Sequence, residues 1–136
     1  MSLLVDTCII VDVLRSRTQS QRRTAEVFRR LVPEHGSVAV SVITVSELRA
    51  GLRGPEEGIV ENLLACMRRL PVDEEVARLA GDYLRSYAAS HGVELGDALV
   101  AATARAGGMS LWTHNRKHFP MGDVVLWEPR PAGRKA

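Results

Sequence analysis

Short apolar runs and longer helix-periodic stretches alternate along this chain from its first residues. Leu3-Leu4-Val5 reads as a buried strand that Asp6 closes, and the stretch from Cys8 to Arg15 then turns helical. Residues 37–41 and 109–113 are two further strand-like runs. Val124-Val125-Leu126 is a last one, and Leu70-Pro71-Val72 is extended. Helical spacing fills the intervals. Thr24, Ala25, Val27, Phe28, Leu31 and Val32 keep it until Pro33-Glu34-His35-Gly36 stops the pattern. It returns in Val42 to Leu52, in a helix started by Pro55, and in Glu61 to Arg69 with Leu63, Leu64, Met67 and Leu70. Asp73 reads as a cap before Glu74 and Glu75, opening a helix that ends at Ser90-His91-Gly92. Ala98 to Ala106 is apolar nearly all round, so that helix should be buried. Strands separated by helices argue for a three-layer α/β/α fold with a mostly parallel sheet. Without an internal repeat or linker, residues 1–128 are expected to be one domain and 129–136 a loose tail.

With 136 residues the chain can bury a real core without staples. Aromatics are only 4% of the residues, which disfavours a base-stacking platform of the kind that reads single-stranded RNA. The net charge is a modest +2, yet 16 of the 18 basic residues are Arg, whose planar fork suits phosphate. A genome rich in G and C would favour Arg equally well. Arg22, Arg23, Arg29 and Arg30 lie mostly off the apolar stripe and read first as a solvated helix face, and second as a nucleic-acid patch. Cys8 and Cys66 make neither a disulfide framework nor a zinc spacing, and both are expected to be buried thiols. No signal peptide or run of about eighteen apolar residues is visible, so a cytoplasmic protein without a membrane partner is expected.

Three acids stand out. Asp6 ends a strand, Glu47 opens a helix after a strand, and Asp97 opens the most buried helix. Each has a local explanation. Thr44-Val45-Ser46-Glu47 fits a capping box, Asp97 fits a cap for the helix beginning at Ala98, and Asp6 fits the turn into Cys8. Right-handed crossovers, however, return every strand in the same direction and bring all three to one end of the sheet. Two carboxylates about 4 Å apart repel by about 4 kcal/mol at an effective dielectric of about 20. Such a cluster needs a proton or a cation. Oxygen donors without clustered His or Cys favour Mg²⁺ or Mn²⁺, which activates water and holds a phosphate oxygen, the chemistry of phosphodiester hydrolysis.

These residues also carry a resemblance. Leu-Val-Asp6-Thr7, Val-Ser46-Glu47-Leu48-Arg49-Ala50-Gly51, Asp97-Ala98-Leu99-Val100-Ala101-Ala102-Thr103-Ala104 and Leu111-Trp112-Thr113-His114-Asn115, in this order, resemble the PIN-domain nucleases. More narrowly the chain is similar to the VapC toxins of bacterial toxin–antitoxin pairs. The resemblance implies a Mg²⁺- or Mn²⁺-dependent endoribonuclease acting on RNA, blocked by a cognate VapB-like antitoxin. It maps the family's acids onto Asp6, Glu47 and Asp97, and its fourth polar position onto Asn115 with Thr113 beside it. Asp6 and Asp97 would be direct ligands, and Glu47 would bind the ion or orient water. Asn115 and Thr113 would position water or a phosphate oxygen. One departure is His118 before Phe119, where many relatives carry an acid, so a second metal would find few carboxylates there. His114 and His118 invite a general-base reading, but their loop position fits surface contacts or no role as well. Asp12 is expected to face Arg15 or solvent, and Asp82 and Glu94 to be surface charges, Glu94 adding to the acidic rim.

Two alternatives share the acids. One is a PIN-type nuclease of RNA maturation or DNA processing without an antitoxin. The other is a phospho-acceptor receiver domain, which Thr113 and Lys117 suit superficially, but the second strand ends in Ser41 where a receiver wants its Asp. Apolar helices between Pro55 and Tyr87 exceed what a small sheet must hide, which suggests a homodimer and a groove for the antitoxin.

Overall fold

Alternation within the first strand sets the layers. The computed structural model describes residues 2–33 and 38–130. In β1 (Leu3–Val5), Leu3 and Val5 point to one face of the sheet and Leu4 to the other, as the two-residue period of a strand requires. All three are at most 1% exposed, which is the signature of a strand covered on both sides. The chain continues through α1 (Thr7–Arg15), α2 (Gln19–Leu31), β2 (Val38–Ser41), α3 (Val42–Ala50), α4 (Glu56–Ala65) and β3 (Arg68–Leu70). It then forms α5 (Glu74–His91), α6 (Leu95–Ala106), β4 (Ser110–Trp112), a short 3₁₀ turn (Arg116–His118) and β5 (Leu126–Trp127).

The five strands form one sheet in the order β3-β2-β1-β4-β5, and every neighbouring pair is parallel. Leu3 and Val5 join Ile9, Ile10, Phe28 and Leu64 in a core under α1, α2 and α4. Leu4, Ala39 and Leu111 face Ala80, Tyr83 and Val100 in a second core under α5 and α6. This is the three-layer α/β/α arrangement expected from the alternation. Caps fix the helix starts. Asp73 accepts from Val76 N at 2.9 Å, and Thr18 and Gln21 form a reciprocal capping box on α2. Gly92 closes α5 with φ +67°, a conformation that side chains disfavour.

Several expectations are corrected. The helical stretch 61–69 stops at Ala65, and Arg68–Leu70 forms the edge strand β3 beside β2. Two exposed arginines there guard the open edge against pairing with another chain. Pro55 stands one residue ahead of α4, at its N-cap. The last strand is Leu126–Trp127, because Val124 turns into the core instead. Cys66 is exposed, and Cys8 is half-buried. Between Pro55 and Tyr87 the large apolar side chain left exposed is Ile59, at 50%. The stop at residues 34–36, the strand start at Ser37 and the tail from 131 lie outside the described residues. Among the described residues no helix is long and apolar enough to cross a membrane.

Candidate active site

From β1 the sheet grows outward to β2 and β3, then the chain returns to add β4 and β5 on the other side of β1. The order therefore reverses between β1 and β4, and ligands of open α/β sheets bind in the crevice beyond the carboxyl ends at such a point. Asp6 follows β1 and Thr113 follows β4. The register Val5↔Trp112 sets them side by side, and Asp6 N donates to Trp112 O at 2.9 Å. Asp6 is 7% exposed. One carboxylate oxygen accepts from Thr7 N and the other from Thr113 Oγ1, each at 2.8 Å.

Glu47 comes from α3. That helix begins at Val42, capped by the Ser41 hydroxyl on Ile43 N at 3.1 Å, so the expected capping box ending in Glu47 does not form. Glu47 instead sits in the second turn and reaches across to α1, where its Oε1 accepts from Thr7 Oγ1 at 2.5 Å. Its other oxygen would stand 3.7 Å from a Cβ at Gly96, so α6 starts directly against it. Asp97 is not the cap of α6 either. Glu94 holds that position, and Asp97 Oδ2 accepts from Glu94 N at 3.3 Å. Because α6 runs back toward the start of β4, its first turn lies at the same end of the sheet as Asp6.

The electrostatics tie the acids together. Burial pushes the Asp6 carboxyl above the usual carboxylate range and the charge of Glu47 pushes further, against the hydrogen bonds from Thr113 and Thr7. Asp97 is raised by burial and by the charges of Asp6 and Glu94, while Glu94 N and His118 pull the other way. Asp6 and Asp97 each have a local hydrogen bond and each also feels another acid, while Glu47 is bonded by Thr7, 40 residues away. As they stand, no group of three His, Cys, Asp or Glu side chains among the described residues is arranged to hold a metal ion.

Other residues fall into place around them. Asn115 donates its backbone N–H to Thr113 Oγ1 at 3.0 Å and leaves its side chain exposed. His118 Nδ1 is 3.6 Å from Asp97 Oδ2. His114 pairs with Asp12, Nε2 to Oδ2 2.8 Å, which corrects the expected Arg15 or solvent partner for Asp12. Arg15 faces Glu56 at 3.6 Å. Asp82 pairs with Arg85 on the surface, and Glu94 belongs to the acidic rim. Sequence reasoning assigned no role to Thr7 or Cys8. Cys8 Sγ lies 3.7 Å from both Asp6 Oδ2 and Thr113 Oγ1, and burial together with the Asp6 charge raises its thiol to about 11. Their adjacency to Asp6 was the available signal.

A parallel sheet with Asp6, Glu47 and Asp97 on the side of its switch point defines an α/β domain with an acidic candidate site. A PIN-domain family model matches residues 3–121, and the chain belongs to that family. Within it the relatives include two VapC ribonucleases and the toxin FitB of Neisseria gonorrhoeae. The chain is 36% identical over 119 residues to ribonuclease VapC19 of Mycobacterium tuberculosis, covering 87% of this chain and 92% of that protein. Against ribonuclease VapC10 of the same organism, identity is 46% over 87 residues, which is 63% of this chain and 65% of that protein's length. The crystal structure of FitAcB from Neisseria gonorrhoeae superposes with a TM-score of 0.72 at 32% identity, over 93% of this chain and 96% of that one. A toxin–antitoxin complex from Klebsiella pneumoniae gives 0.70 at 25% identity, over 91% and 96%.

Proposed function

We propose that this chain is a Mg²⁺- or Mn²⁺-dependent endoribonuclease, the toxin of a cytoplasmic toxin–antitoxin pair, with residues 1–128 as its nuclease unit. The observation that carries the reading is the convergence of Asp6, Glu47 and Asp97 from three separate elements: Thr7, next to Asp6, bonds Glu47, and Glu47 lies against Gly96, next to Asp97. The donor chemistry fits a hard cation. Three carboxylates, two threonine hydroxyls and an amide offer oxygen. A divalent ion there would supply a water of lowered pKa and neutralise charge on a phosphate oxygen.

The chain's own residues would do the rest. Asp6, pinned by Thr7 and Thr113, keeps its carboxylate oriented without reorganisation. Asp97 would be the second ligand. Glu47, once turned from Thr7, would complete the ligand set or orient the attacking water. Asn115 has no side-chain partner among the described residues and is free to donate to a phosphate oxygen. His118 lies beside Asp97 on the acidic rim. An RNA substrate follows from the likeness to the VapC ribonucleases, and an antitoxin partner from the likeness to the toxin–antitoxin complex. A homodimer is part of the same proposal.

The test is cleavage of RNA by the purified, antitoxin-free protein. Cleavage should require Mg²⁺ or Mn²⁺, stop with EDTA and vanish in Asp6→Asn. RNA left intact with either metal would overturn the reading.

A further inference from the structure

We propose that a cleft between α2 and the ends of β4 and β5 is a subsite for one nucleotide of the RNA strand beside the cleaved bond. The proposal rests on the nuclease reading above. The cleft has a volume of about 380 Å³ and shares Thr113 with the acidic centre, so an occupant lies one residue from Asp6. Pockets that enclose small ligands span about 300–1,000 Å³. One helical face of α2 forms a wall, with Ser20, Arg23, Thr24 and Val27 at spacings of three and four. The facing wall carries Arg116 and the two indoles.

The two cations differ. Arg116 is held by Glu128 at 2.9 Å, whereas Arg23 is exposed and has no acidic partner among the described residues. Arg23 is therefore the guanidinium available to a phosphate. The indoles differ too. Trp112 is 3% exposed and packs edge-on against Trp127, with centroids 5.1 Å apart and planes at 71°. That contact fixes the half-buried Trp127, which keeps an accessible side for a base. A fixed ring, an uncommitted guanidinium and the exposed Ser20 hydroxyl recognise a nucleotide, while the Thr24 hydroxyl is taken up by Ser20 O and His114. The low aromatic content hides this, because the only two tryptophans of the chain both line the one cleft.

The same fact supplies the assay. Tryptophan emission reports on this cleft alone, so the full-length protein in EDTA is titrated with each 5′-mononucleotide and with a short RNA trimer. Saturable quenching is expected, with the trimer binding more tightly than any mononucleotide. Arg23→Ala should weaken binding roughly tenfold, the loss of one charged hydrogen bond, and Arg23→Lys should restore part of it. In cleavage with metal, Arg23→Ala should raise KM with little change in kcat. Emission that no nucleotide or trimer changes, or affinity undiminished in Arg23→Ala, would overturn the proposal. Tighter binding of a mononucleotide than of the trimer would overturn it as an RNA subsite. Quenching without RNA cleavage in either metal would sink the nuclease reading and leave a nucleotide-binding cleft, whereas cleavage without quenching would sink the cleft alone.

Discussion

Thr113 donates its hydroxyl to Asp6 across the junction of β4 and β1, Oγ1 to Oδ2 2.8 Å, and the bond is buried. It links residues 107 apart in sequence, because parallel pairing sets the ends of the two strands level. The bond favours the ionised carboxylate and opposes the upward push of burial.

Thr113→Val keeps the volume and removes the donor. RNA cleavage should fall by about tenfold to a hundredfold, as for other groups that orient a metal-binding side chain. Denaturant unfolding should register a loss of about 1–3 kcal/mol for an acceptor left unsatisfied. Thr113→Ser should recover most of both. Full activity in the valine variant would show that Asp6 needs no such support.

Asp6 and Asp97 have raised carboxyls in the folded chain. They hold protons more tightly folded than unfolded, so their contribution to stability is greatest in acid. It declines as pH rises from the unfolded carboxylate value of about 4 through the folded values. Asp6→Asn should therefore melt higher than the wild type near about pH 7 in EDTA, and the gain should shrink toward about pH 4. Thermal scans across that range check it. A gain that stays constant with pH would mean that the carboxyl is not raised.

Much of this was legible in the sequence. Leu3-Leu4-Val5, Leu111-Trp112 and the run from Val100 to Ala104 are buried, so composition alone marks them, and the order of the motifs pointed to the acids proposed for the site. The rest depended on tertiary competition. Leu63, Leu64, Met67 and Leu70 keep helical spacing, yet β2 offers Arg68–Leu70 an edge to pair with, and pairing wins. Ser41 caps α3 before Thr44 can, which moves Glu47 from a helix start into the second turn. The bond of His114 to Asp12 spans 102 residues, and nothing local encodes it.

Cys8 and Cys66 should react very differently. The Cys8 thiol is raised to about 11 and half-buried, whereas Cys66 is exposed. Since the thiolate is the reactive form, iodoacetamide at neutral pH should label Cys66 first and Cys8 only on unfolding. Mass spectrometry of the labelled peptides decides, and equal labelling in the folded protein would contradict the described setting of Cys8.

Leu4 is fully buried in the central strand, against the core under α5 and α6. Leu4→Ala should cost about 2–5 kcal/mol of unfolding free energy through lost transfer energy and a residual cavity. Equilibrium denaturation measures it. A cost below about 1 kcal/mol would mean that the sheet relaxes around the site or that Leu4 is not enclosed.

The most direct test of the account is calorimetric titration of the metal-free protein with Mn²⁺, which reads the acids without RNA or turnover. Asp6, Glu47 and Asp97 acting on one ion predict saturable binding by the wild type, weakened at least about tenfold in Asp6→Asn and in Asp97→Asn. No heat of binding, or the same affinity in both variants, would contradict it.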